Sequence, residues 1–129
     1  MEKQPKETAV EQPRQNNWDL KELMERLGDD QELLRELLVM FREDVRINLE
    51  KTRSAIGTGD YEALSRTAHT MKGMLKNLSM GAAAETAAAL EKASRENRQG
   101  DSRELLEKLV KELEGILPEV GAQLAGVRL

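Results

Sequence analysis

Cysteine is absent from the chain, which excludes disulfides and thiolate metal sites. Aromatic residues are almost as scarce, at one Trp, one Tyr and one Phe among 129 residues. A core of that composition, rich in Leu, Ala, Glu, Lys and Arg, favours helices packed through aliphatic side chains over a sheet. The expected fold class is therefore all-α. No apolar run approaches the roughly 20 residues that a membrane-spanning helix needs. The charged amino terminus, with Pro5 and Pro13, resembles neither a secretory signal nor an anchor, so the expected location is cytoplasmic. The net charge of −4 is spread over both signs, which argues against nucleic acid as a partner. There is no P-loop and no glycine-rich nucleotide motif. With a single histidine and no cysteine, the chain also lacks the ligands of a zinc site and the partners of a hydrolytic triad. Its length suits one domain.

Residues 1–16 are polar, carry both charge signs and offer little apolar surface beyond Val10, so they are expected to form a disordered tail. A short helix is predicted to begin near Trp18 and Asp19 and to carry Leu20, Leu23, Met24 and Leu27 up to Gly28. Leu34, Leu37, Leu38, Phe41, Val45, Leu49 and Ile56 then line one side of a long second helix, which the run Gly57, Thr58, Gly59, Asp60 should end. A third helix over 61–78 has the stripe Tyr61, Leu64, Ala68, Met71, Leu75 and Leu78. A fourth, about 82–97, is lined with alanines and expected to end at Gly100. Asp101 should cap the last helix, with Glu104 three positions on and the stripe Leu106, Leu109, Val110, Leu113, Leu117, Val120, Leu124. Pro118 should bend it. Four long amphipathic helices with short connections imply an antiparallel up-down-up-down four-helix bundle with a short additional N-terminal helix. The bundle is placed at 17–125, with 126–129 as a C-terminal tail. The methionines are expected in the core, filling gaps that aromatics would otherwise occupy.

The lone histidine, His69, falls outside the stripe of its helix. At 100° per residue it points about 130° from the centre of that stripe, into water. Lys72, Gly73 and Lys76 stand three, four and seven positions on and share its face. A solvated histidine on a helix surface is by default unremarkable. Here, however, a neutral imidazole, whose ordinary pKa is about 6.5, offers a nucleophilic ring nitrogen beside two cations. Phosphoryl transfer asks a protein mainly for positioning and positive charge, so His69 is a candidate phosphoryl acceptor, with Lys72 and Lys76 as supporting charges. Gly73 costs its helix about 1 kcal/mol relative to Ala, which calls for a compensating role. Two are open: clearance for a second protein, or a close helix crossing. Ser65 and Arg66 also flank His69 as possible partner contacts, whereas Asn77, near the helix end, is expected to be structural.

The run Ala68, His69, Thr70, Met71, Lys72, Gly73, Met74, Leu75, Lys76, Asn77, Leu78 resembles the signature of histidine phosphotransfer (HPt) domains. Trp18, Asp19 and Leu20 upstream and Leu90 and Glu91 downstream extend the likeness to about residues 17–125. The resemblance implies a phosphorelay intermediate: His69 takes a phosphoryl group from a receiver-domain aspartate and passes it to another receiver. It also implies a carrier without its own ATP-binding kinase domain. Its partners would be response-regulator receiver domains or a hybrid sensor histidine kinase. Met74, Leu75 and Lys76 stand where small residues are common in the family, implying an unusual choice of partner. No cofactor, nucleotide or metal is expected on the chain, Mg²⁺ belonging to the partner, and a monomer is the expected state. The alternative is a helical interaction module or scaffold in which His69 performs no phosphoryl chemistry.

Overall fold

The computed structural model describes residues 17–126, so the expected tails at 1–16 and, Gly126 excepted, 126–129 lie outside the described residues. Five helices lie within them, and no strand. They are α1 (Leu20–Arg26), α2 (Gln31–Thr58), α3 (Tyr61–Asn77), α4 (Gly81–Arg95) and α5 (Gln99–Leu124).

Aspartates start three of the five. The Asp19, Asp30 and Asp60 carboxylates accept from the backbone N–H groups of Glu22, Leu33 and Ala63, each satisfying a donor that the first turn leaves unpaired. α2 runs two residues further than its sequence suggests. Gly57 and Thr58 are helical, and the stop is Gly59 alone, at φ 72°, a left-handed cap whose N–H bonds to Ala55 and Ile56 carbonyls. The predicted end of α4 at Gly100 is also corrected. Asn97 takes the left-handed conformation at φ 55° and closes the helix early, so Gly100 falls in the first turn of α5. Asp101 is consequently not the cap. Arg98 occupies that position without a side-chain cap bond, and Asp101 pairs with the Arg98 guanidinium from inside the helix. α5 continues through Pro118 to Leu124.

The long helices pack in a closed ring, α2 on α3, α3 on α4, α4 on α5 and α5 on α2. Their predicted stripes meet inside it. Leu38, Val45, Leu64, Ala68, Met71, Leu75, Ala83, Ala87, Leu90, Leu109, Leu113 and Val120 are all essentially inaccessible, and each large aliphatic among them contributes about 1.5–3 kcal/mol on burial. Ile116, which the periodicity of α5 had not included, is equally buried. The alanines of α4 permit its close approach to α3 and α5. One polar contact crosses the core wall: the buried Thr52 hydroxyl lies 3.1 Å from that of Thr67 and donates to the Asn48 carbonyl at 2.7 Å.

α1 is fastened to the α3–α4 turn. The buried Trp18 indole donates to the Leu78 carbonyl at 3.0 Å, Asp19 N–H bonds to the Ser79 carbonyl, and Arg26 reaches Asn77 and Ser79. The methionines divide, against expectation. Met71 and Met80 are buried and Met24 and Met74 partly so, but Met40 is 58% exposed on α2. The reason is angular: Met40 lies a quarter to a third of a turn outside the Leu38–Phe41–Val45 stripe.

Candidate functional site

α3 is a helix because its apolar residues recur at three and four, and burial of that stripe fixes which way its other residues face. His69 follows the buried Ala68 and is turned outward, its side chain 66% exposed. The charge on this face is predominantly positive. Arg66, Lys72 and Lys76 stand on α3 against a single acid, Glu62, which pairs with Arg66 at 3.8 Å.

The centre of the site comes from the neighbouring helix. Glu91 of α4 lies in the α3–α4 seam with its side chain only 9% exposed, and three cationic or donor groups converge on it. Its Oε1 is 3.0 Å from Lys72 Nζ. Its Oε2 is 3.0 Å from His69 Nδ1 and 2.8 Å from the Arg95 guanidinium, one helical turn further along α4. Burial raises the Glu91 pKa, but the hydrogen bond and charge of Lys72, followed by those of His69, outweigh it and hold the carboxyl below its ordinary value. The group is thus a carboxylate at neutral pH and can only accept hydrogen bonds. On a neutral His69 ring the single proton therefore sits on Nδ1, and the lone pair of Nε2 is left unengaged.

Gly73 is open. A Cβ built there would meet no heavy atom within 4 Å, so of the two roles considered from sequence, a close helix crossing finds no neighbour. Lys72 is half-buried by its contact with Glu91, and Lys76 is exposed one turn beyond Gly73. Ser65 and Arg66 lie on the amino-terminal side of His69, where they line a shallow groove with Tyr61, Ser94, Arg95 and Asn97. Asn77 is the last residue of α3, and its carbonyl accepts from Arg26 at 2.9 Å, away from the imidazole.

Sequence reasoning gave no site role to Glu91 or Arg95. A signal existed: an acid on the buried side of an alanine-rich helix requires partners, and Arg95 stands at the i+4 position. What it could not supply is the partner across the seam. No helix among the described residues is long and apolar enough to cross a membrane, and no group of three or more His, Asp or Glu among them could hold a metal ion.

A helical bundle that presents one histidine, outward and oriented, beside cations is the form of a phosphoryl carrier. The model of the Hpt domain family matches residues 36–122, and the chain belongs to that family. Hpt domains carry phosphoryl groups on histidine in phosphorelays, where they work with receiver domains and are not kinases. Neither the curated proteins nor the solved structures yielded a match.

Proposed function

We propose that the chain is a phosphorelay intermediate in which His69 accepts a phosphoryl group from the phosphoaspartate of one receiver domain and passes it to another. The observation that carries this reading is the state of the imidazole: Nδ1 is tied to the Glu91 carboxylate while Nε2 is free on an exposed side chain. Attack by Nε2 on phosphorus forms the N–P bond as the aspartyl O–P bond breaks and the carboxylate leaves. Lys72, 3.0 Å from the same carboxylate, supplies positive charge next to the equatorial oxygens, and Lys76 adds to the field. The open surface over Gly73 lets a second protein approach the ring.

In this reading the Mg²⁺ of the reaction belongs to the receiver, and the chain itself needs no cofactor, metal or nucleotide. The domain spans 17–125 and acts as a cytoplasmic monomer. Its four long helices are read as running up-down-up-down, a reading supported by connections of two or three residues between packed neighbours.

The test is incubation with phosphorylated receiver domains and Mg²⁺, read by intact mass and acid lability for wild type and His69→Gln. A single acid-labile adduct in wild type only is expected. Receiver binding with no adduct would replace the carrier by a scaffold.

A further inference from the structure

The position of Glu91 has a consequence for the phosphorylated ring. A neutral imidazole that bears its proton on Nδ1 and attacks through Nε2 becomes a cationic ring, carrying the phosphoryl group on one nitrogen and the proton on the other. That proton has two fates. It leaves to solvent, which gives a neutral phosphoimidazole and a poorer leaving group, or it stays, which keeps the ring ready to depart.

The geometry points to the second. Resting on the carrier role given above, we propose that Glu91 retains the Nδ1 proton of His69 through both halves of the relay, so that the phosphoryl group is taken up and handed on without proton exchange with solvent. In uptake the Nε2–P bond forms, the donor aspartate leaves with the electron pair of its O–P bond, and the positive charge on the ring is neutralised by the Glu91 carboxylate 3.0 Å from Nδ1. In delivery the acceptor carboxylate attacks phosphorus, the Nε2–P pair returns to the ring, and the neutral Nδ1–H imidazole is restored. No proton is gained or lost in either step.

The surroundings act in the same direction after transfer. The charged groups facing the ring are Arg66, Lys72 and Lys76 from α3 and Glu91 and Arg95 from α4, with Glu62 two turns away and paired to Arg66. In the unmodified protein Lys72 and Arg95 share the Glu91 carboxylate with the ring. A phosphoryl dianion on Nε2 competes for both cations, which leaves Nδ1–H as the main partner of Glu91. The dianion itself further favours a cationic ring. A carboxylate is needed for this. An amide at the same position accepts the Nδ1–H bond equally well in the resting state but offers no charge to the ring once it is phosphorylated, so Glu91 is a positioning residue whose charge, beyond its geometry, is used.

The test follows the ³¹P and ¹⁵N resonances of the phosphohistidine against pH in wild type and Glu91→Gln, beside the rate of onward transfer. In wild type the Nδ1 resonance is expected to stay that of a protonated nitrogen from about pH 6 to 8. In Glu91→Gln the ring is expected to lose that proton at a midpoint lower by about 1 pH unit or more, with onward transfer slowed in parallel and the adduct longer-lived. Titration of the wild-type ring within that window, or identical profiles for the two proteins, would overturn the proposal while leaving the carrier role standing. Failure of wild type to form any adduct would instead remove the carrier role. Because wild type alone gives the first readout, the result stands even where the variant folds poorly.

Discussion

At the scale of single residues the chemistry turns on His69, and the structure separates what each neighbour does for it. Glu91 fixes the tautomer, Lys72 brings charge, and Gly73 contributes by having no side chain. The last point is open to a test with opposite signs. Because a Cβ at Gly73 meets nothing, Gly73→Ala should fit without strain and raise helix stability by about 0.5–1 kcal/mol. Transfer from a receiver should nevertheless slow, and Gly73→Gln should slow it further while the fold persists. Urea unfolding beside phosphotransfer rates measures both. Unchanged transfer in the Gln variant would mean that the partner does not use the space over Gly73. The residue scale is also where sequence reading was least complete. His69, Lys72 and Gly73 share one face of one helix, so their grouping follows from the helical period. Glu91 is 22 residues from His69, and no periodicity links them.

At the scale of elements, the aspartate caps at Asp19, Asp30 and Asp60 each act on the turn that follows, yet the one cap assigned from sequence was Asp101. The start of α5 was not legible in the sequence. Asn97 and Gly100 can both take the left-handed conformation, and which of them ends α4 is decided by packing, so the neighbouring Asp101 was assigned a role it does not have. α1 shows the same division. Its amphipathic pattern was visible, but at seven residues it is too short to persist alone, and its place depends on the Trp18 indole bonded to the Leu78 carbonyl. Trp18→Phe removes that donor, leaves a buried carbonyl unpaired and should cost about 1–3 kcal/mol. Far-UV circular dichroism during urea unfolding is the measurement, since the variant retains no tryptophan. A midpoint equal to wild type would show that α1 is held by its apolar contacts alone.

At the scale of the whole molecule, the site is also a fastening between α3 and α4. Lys72 and His69 on one helix and Arg95 on the other meet at Glu91, which links function to global stability. The Glu91 pKa lies below its ordinary value in the fold, so the native state binds fewer protons there than the unfolded chain does. The stabilisation is then fully present above the unfolded carboxyl pKa of about 4.3 and is lost as pH falls through the depressed value. The gap in unfolding midpoint between wild type and Glu91→Gln should therefore narrow as the pH falls below about 4.3. A gap that persisted undiminished below that pH would mean that these contacts do not hold the Glu91 carboxyl below its ordinary value in solution.

The sequence by itself determined the all-helical class, the helices, the core stripe of each and the outward face on which His69, Lys72 and Gly73 stand. These are properties of contiguous residues, set by the 3.6-residue period and by bonds within a turn. Only the tertiary structure decided that Glu91 and Arg95 join that face, that Nδ1 rather than Nε2 is engaged, and that Gly73 opens to empty space instead of a helix crossing. Those depend on the rotation and register of α4 against α3, which the packing of alanines on leucines fixes and which no local pattern encodes.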